Sequence, residues 1–247
     1  MLDTNKNEAL TSKKPQSSEL TPGPGFRIRR NIKRPEKELI DKFRKFETPD
    51  ISDMMNRLYT MDSGLKNLIN DDAIIGPACT VKVFPGDNLM VHKALDIAKP
   101  GDILVVDAGG SSMNGIIGDL ISNKSKHRGI VALVIDGLIR DVPGIKECKL
   151  PVFARGITPI GPLHRGPGEI NFPISCGGIV INPGDIICGD ENGITVVKQE
   201  FAEEILERLI KRAESLSSYI ANVKKGIFSN EWVDKMLDDA KCEVYEN

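Results

Sequence analysis

The stretch over residues 103–135 constrains the fold more than any other part of the chain. Residues 103–108 (Ile-Leu-Val-Val-Asp-Ala) are a short apolar run that reads as a strand buried on both faces. A Gly-Gly-Ser-Ser loop at 109–112 follows, then a helical pattern over 115–126, then a second apolar strand over 130–135 closed by Asp136-Gly137. Strand, helix and strand within about 34 residues is the length of a βαβ crossover, which makes the two strands parallel members of one sheet. An α/β fold is therefore expected. In such sheets ligands collect beyond the carboxyl ends of the strands. Residues 109–119 and 136–141 should then meet at one edge.

The flanking sequence adds elements to this unit. Leu39, Ile40, Phe43 and Phe46 repeat at helical spacing over 36–46, and a second short helix is expected over 51–59, capped by Asp50 or Ser52. A strand over 78–84 and a short helix over 88–98 precede the βαβ unit; a helix over 142–148 and a strand over 152–155 follow it. Short β-branched runs at 179–181, 186–188 and 194–197 read as antiparallel β structure. A long amphipathic helix then carries Phe201, Ile205, Leu206, Leu209, Ile210, Ala213, Leu216 and Ile220 on one stripe. After Ser229 a last helix bears Trp232, Val233, Met236 and Leu237. Pro-Gly-Asp-Ile occurs at both 100–103 and 183–186, a repeated turn that feeds a strand and speaks of architecture, not chemistry.

Charge and composition exclude several functions. Residues 1–35 hold eight basic side chains against three acidic ones, although the whole chain of 247 residues has a net charge of −2. Ser, Thr, Asn, Pro and Gly dominate 1–25, so 1–35 reads as a flexible basic arm. The α/β domain then spans 36–200, and a helical extension over 201–247 packs on the domain or on a neighbouring subunit. The acidic, aromatic-poor folded part argues against a nucleic-acid reader. Five scattered cysteines without a C-x-x-C pair argue against a disulfide framework or a zinc ribbon. Apolar runs fall well short of the ~18 residues a membrane helix needs, and no secretory leader is visible, so a cytoplasmic protein is expected. His92, His127 and His164 lie far apart with no metal-ligand spacing, and His92 reads as structural. No glycine-rich nucleotide loop is present.

The expected edge of the sheet offers an anion seat beside a cation seat. A helix start supplies unpaired N–H groups, Gly115 and Gly118 keep its approach open, and Arg140 adds a two-pronged donor suited to a carboxylate. Asp119 and Asp141 add hard oxygen ligands suited to Mg²⁺ or Mn²⁺. A 2-oxo acid needs both seats. Each piece also has a structural use: Asp141 as N-cap of the 142–148 helix, Asp119 as an ion-pair partner of Arg140, the glycines for close packing. Asn114, Ser111 and Ser112 lie in the loop feeding the helix, where they either cap it or border the pocket. Lys124 and Lys126 sit among polar neighbours, which argues against Schiff-base chemistry.

Gly118-Asp119-Leu120-Ile121, then Asp136-Gly137-Leu138-Ile139-Arg140-Asp141, then Pro151-Val152-Phe153-Ala154-Arg155-Gly156, in this order, resemble the RraA-like / 4-hydroxy-4-methyl-2-oxoglutarate aldolase family. The family's Asp-x20-Arg-Asp motif is matched by Asp119 and Arg140-Asp141, and the resemblance runs from about residue 50 to 198. It implies a swivelling-type β/β/α domain with a central βαβ unit and mixed sheet, assembled as a homotrimer or homohexamer with sites between subunits. It implies that Gly118, Asp119, Leu120, Ile121 and Arg140 bind substrate, and that Asp141 anchors Mg²⁺ or Mn²⁺ largely through water. Asp119 is implied to orient Arg140 and the water, making Arg140 and Asp119 the catalytic pair. The activity implied is that of a divalent-metal-dependent lyase. It would cleave 4-hydroxy-2-oxo acids to pyruvate by a retro-aldol step, or decarboxylate oxaloacetate, through a metal-stabilised pyruvate enolate. Active members also draw an acidic residue from a neighbouring subunit; Glu203, Glu204, Glu207 and Glu214 are candidates without a motif to choose among them. The alternative is a regulatory member that inhibits a ribonuclease by binding it, without catalysis.

Overall fold

The computed structural model describes residues 19–245. In chain order the elements are β1 (Phe26–Ile28), α1 (Lys37–Phe43), α2 (Thr48–Met54), β2 (Lys66–Asn67), β3 (Ile74–Val83), α3 (Leu89–Ala94) and β4 (Ile103–Ile117). Then come α4 (Asp119–His127), β5 (Ala132–Ile139), α5 (Val142–Cys148), β6 (Val152–Ile157), β7 (Gly168–Ile170), β8 (Ile174–Cys176) and β9 (Ile179–Ile181). β10 (Ile186–Asp190), β11 (Gly193–Val197), α6 (Ala202–Lys224) and α7 (Glu231–Asp239) complete the chain. Strands β3, β4, β5 and β6 pair in parallel, with α3, α4 and α5 as successive crossovers. Antiparallel neighbours finish a mixed sheet: β7 and β10 on β3, and β2 on β6. The α/β class and the mixed sheet are those expected.

Period-2 alternation explains why the central strands are apolar throughout. Leu104, Val106 and Ala108 of β4 and Leu133 and Ile135 of β5 point to the helix layer, where they pack with Met90, Val91, Ile121 and Ile145. The intervening Ile103, Val105, Ala132 and Val134 point to the other face, packing with Phe153 and with Ile174, Cys176 and Ile181 of the β8–β9 hairpin. A third core joins α1, α2 and α6 through Phe43, Ile51, Ile205, Leu206 and Leu209. Ile205, Leu206 and Leu209 each contribute about 1.5–3 kcal/mol by burial, which anchors the first turns of α6. Beyond them Tyr219, Ile220 and Val223 are exposed, and no residue of α7 is buried. No helix among the described residues is long and apolar enough to cross a membrane.

Several boundaries differ from expectation, among them β3, which starts at Ile74, and β5, which runs past Asp136-Gly137 to Ile139. Three of the differences have a clear physical reason. β4 does not stop at Ala108. It runs to Ile117, and α4 starts at Asp119 instead of 115. Register shifts at Asp107/Ser111 and Ser111/Gly115 bulge the surplus residues out, and Gly109 and Gly110 supply the positive φ (66° each) that a bulge requires. Helix α2 starts at Thr48, not 51. The Asp190 carboxylate at the end of β10 accepts from both Thr48 N (2.8 Å) and Thr48 Oγ1 (2.7 Å), so its cap comes from a distant strand.

The third correction concerns the arm. Residues 1–18 of the expected flexible segment lie outside the described residues, but its remainder straps across the domain. β1 pairs in parallel with β7, and Arg27 Nε meets Glu169 Oε1 at 2.6 Å. Arg34 clasps the buried Asp102 with two bonds of 2.7 Å. These arginines neutralise acids of their own domain. The repeated Pro-Gly-Asp turns prove equivalent: Asp102 and Asp185 each accept the amide three residues before them at 2.8 Å, and each holds a cation, Arg34 and Lys198 respectively.

Candidate active site at the carboxyl ends of β4 and β5

Ile117 and Ile139 are paired across β4 and β5, and Arg140 N donates to the Ile117 carbonyl at 3.0 Å. Gly118 and the Arg140-Asp141 pair therefore leave the sheet side by side. Gly118 occupies the N-cap of α4 and supplies no side-chain acceptor, so first-turn N–H groups look for partners from outside the helix. Asp141 takes the place before α5 in a left-handed conformation (φ 55°, ψ 38°), and its side chain makes no capping bond. Aspartate tolerates that conformation better than most residues. The turn swings the carboxylate away from α5 and onto Gly118. A Cβ at 118 would crowd Asp141 Oδ2 and stand 3.3 Å from Arg140 Cγ, so a side chain there would push the Asp141 carboxylate out of this position.

Arg140 Nε lies 3.1 Å from Asp141 Oδ2, with both side chains partly exposed. Its Nη1 reaches over Gly161, where a Cβ would approach to 2.5 Å. Asp119 opens α4; its Oδ1 accepts from Leu120 N at 2.7 Å, and its Cβ packs against Gly144 of α5. Gly118, Asp119, Leu120, Ile121, Arg140 and Asp141 all line one cavity of about 280 Å³. Since the Ile121 side chain belongs to the core, its polar offering there is main chain.

Some expected contacts are replaced by others. Among the described residues no hydrogen bond or ion pair joins Asp119 to Arg140; the guanidinium pairs with Asp141, which the left-handed turn brings to it. Asp141 occupies the N-cap position of α5 as expected, but its carboxylate makes no capping bond. Gly115 lies in β4, not at a helix start, and its N–H donates to the Ile160 carbonyl at 2.8 Å. Asn114 does not cap either: its Nδ2 donates to the Gly161 carbonyl at 2.6 Å and so fixes the 158–165 segment over the site. Lys126 donates to the Cys148 carbonyl at 2.6 Å.

The remaining wall is made of Asn88, His92, Pro162 and His164 with Gly161, residues that sequence reasoning did not assemble. His92 and His164 stand 72 positions apart in sequence, yet their ring centroids are 5.5 Å apart, edge to face. The Asp87 carboxylate explains the meeting. It accepts from Leu89 N, Arg165 N and Gly166 N (2.9, 2.6 and 3.1 Å), pinning the 163–166 loop to the start of α3. Burial pushes the His92 imidazole below its ordinary pKa, and Lys124 and His164 add to this. Among the described residues Asp119 and Asp141 are the only carboxylates lining the cavity, and no group of three or more His, Cys, Asp or Glu side chains among them could hold a metal.

Comparisons with known proteins place these features in a family. A family model described as RraA-like, Aldolase/RraA, matches residues 48–196. A protein of Halalkalibacterium halodurans named "Putative 4-hydroxy-4-methyl-2-oxoglutarate aldolase" is 42% identical over 177 residues, covering 72% of this chain and 84% of its own length. Streptomyces coelicolor RraAS2, described as an unusual member of the RNase ES inhibitor RraA protein family, superposes with a TM-score of 0.70 at 27% identity, covering 76% of this chain and 98% of that one. The RNA-processing inhibitor RraA from Thermus thermophilis gives a TM-score of 0.58 at 27% identity, over 62% of this chain and 92% of that one.

Proposed function

Because the chain belongs to the RraA-like (Aldolase/RraA) family, we propose that it is a divalent-metal-dependent lyase. Its substrates are short 2-oxo acids: 4-hydroxy-2-oxo acids, cleaved to pyruvate by a retro-aldol step, and oxaloacetate, decarboxylated to the same product. One observation carries this reading. A cavity sized for a small acid holds helix-start amides, the Arg140 fork and two carboxylates that no structural role consumes entirely.

The donor set fits Mg²⁺ or Mn²⁺. A hard dication is commonly held by one or two carboxylates, with its other positions left to water and substrate oxygens. Asp141 suits the first role because its carboxylate is free of the helix it precedes and faces a bare glycine. Asp119 would be the second acidic group. When bound, the cation supplies Lewis-acid stabilisation of charge developing on the 2-oxo end of the substrate.

The chain's own groups do the rest. Arg140 pairs its planar fork with the substrate carboxylate and its neighbouring oxygen. The Ile121 amide, at the positive end of α4, holds the same end of the molecule, joined by the Leu120 amide once substrate displaces its bond to Asp119 Oδ1. Breaking the C3–C4 bond leaves an enolate in either reaction, so charge grows where Arg140 and these amides already point. Interactions stronger in the transition state than in the ground state raise the rate. We place the working protein in a homotrimer or homohexamer, with a neighbouring subunit completing the acidic set.

The test is a screen of 2-oxo acids with coupled pyruvate detection. Pyruvate release is expected with Mg²⁺ or Mn²⁺, lost with EDTA and regained when metal is added back; Asp141→Ala should respond weakly to added metal. Metal-independent release, or ordinary release by Asp141→Ala, would contradict the assignment. A second reading draws on the similarity to the RNA-processing inhibitor RraA and to RraAS2, an unusual member of the RNase ES inhibitor RraA protein family. It expects a stable complex with a ribonuclease that survives both EDTA and Asp141→Ala.

A further inference from the structure

Part of the cavity wall carries a chain of hydrogen bonds whose polarity can be worked out. Asn88 is buried, and its side-chain Nδ2 lies 2.8 Å from the Ile116 carbonyl. A carbonyl only accepts, so the Asn88 atom facing it must be the amide nitrogen, and Oδ1 must face the other way. Oδ1 lies 2.6 Å from His164 Nδ1. It too only accepts, so His164 Nδ1 must carry the hydrogen. A neutral His164 ring therefore keeps its lone pair on Nε2.

The ring is also held in place. Leu163 N donates to the Gly86 carbonyl (2.8 Å), Asn88 N donates to the Leu163 carbonyl (2.9 Å), and Asp87 clamps the amides of Arg165 and Gly166. His92 stands beside it on α3, where burial disfavours its charged form. Both rings line the cavity that contains Arg140 and Asp141. A volume of about 280 Å³ is at the small end for ligand sites, so an acid seated on Arg140 would share a small space with both rings.

We propose that His164 is the proton acceptor for a substrate hydroxyl in this cavity, with Asn88 fixing the tautomer that makes this possible. The proposal rests on the lyase reading above. In the retro-aldol direction His164 Nε2 takes the proton of the 4-hydroxyl group. The O–H electron pair becomes the new C4=O bond, the C3–C4 bond breaks, and its pair moves to C3 as the enolate of pyruvate. Water then protonates C3 to give pyruvate, as it does after decarboxylation, and His164 returns its proton to solvent. Oxaloacetate has no hydroxyl to deprotonate, since its C3–carboxylate bond breaks directly to CO₂ and the same enolate. His164 thus bears on one of the two reactions alone.

That split is the test. Wild type, His164→Gln and His164→Ala are assayed with Mn²⁺ on a 4-hydroxy-2-oxo diacid and on oxaloacetate. The expected result is a loss of about 100-fold or more in kcat for retro-aldol cleavage, the range for removing a general base, with KM little changed. Oxaloacetate decarboxylation should stay within about threefold of wild type on the same scale, which also shows that the variants are folded. Equal losses on both substrates would mean that His164 only holds the loop, and unchanged retro-aldol activity would mean that it does nothing; either result overturns the proposal. Wild type inactive on both substrates would instead remove the lyase reading, and this inference with it.

Discussion

Arg140→Ala is expected to lower kcat/KM for pyruvate release by about 10²–10³, the effect of deleting one aligned donor from a site where negative charge develops. Among the described residues Arg140 is the only arginine or lysine lining the cavity, so none of them can replace it. Arg140→Lys should recover only part of the loss, because an ammonium restores the charge without the two parallel N–H bonds of the fork. The fold should tolerate both changes. The side chain is 39% exposed and pairs only with the similarly exposed Asp141, a contact worth about 0–1 kcal/mol. Parallel urea titrations of wild type and Arg140→Ala separate the two effects. Near-normal pyruvate release by folded Arg140→Ala would contradict the assignment.

The largest stability effect is expected far from the cavity, at Arg34→Ala. Asp102 is 1% exposed, and its two oxygens receive both prongs of the Arg34 guanidinium. Hydrogen bonding and charge from Asp102 raise the Arg34 pKa despite its burial. Removing the arginine leaves a carboxylate enclosed, with the Lys99 amide as its remaining donor. Breaking one side of a buried pair costs about 3–5 kcal/mol, most of it the cost of the unpaired charge. The double variant Arg34→Met/Asp102→Asn should therefore be more stable than Arg34→Ala alone, since the stranded charge is gone. Urea denaturation of the three proteins checks this. A loss under about 1 kcal/mol for Arg34→Ala would mean that the strap formed by residues 26–34 does not hold the domain.

The parts of the fold visible in the sequence were those written in local periodicity. Continuous apolar runs at 103–108 and 130–135 mark strands covered on both faces, and the helix at Val142–Cys148 was placed to the residue. Ile116 and Ile117 misled, because two adjacent isoleucines satisfy a helical stripe as readily as the end of a bulged strand. The start of α2 could not be read locally: its cap, Asp190, is 142 residues away from Thr48. The arm misled in another way. Its composition is that of a flexible segment, but Arg27 and Arg34 find buried or half-buried acids that only the folded domain brings into reach.

The site divides along the same line. Gly118, Asp119, Arg140 and Asp141 were legible because a crossover fixes which edge of the sheet they share. The Arg140–Asp141 pairing depends on a left-handed backbone turn that sequence does not declare. The Asn88–His164–His92 wall depends on Asp87 folding a distant loop onto α3. An isolated Asp-Asn before a helix gives no sign of that partner.

The central claim is that one small cavity seats a dication and a 2-oxo acid together, and crystals grown with Mn²⁺ and pyruvate test it most directly. The account predicts anomalous Mn²⁺ signal beside the Asp141 carboxylate, with the pyruvate carboxylate on Arg140 and the amides of Leu120 and Ile121. Manganese and pyruvate bound away from residues 118–121, 140 and 141, or pyruvate seated there with the cation elsewhere, would contradict it.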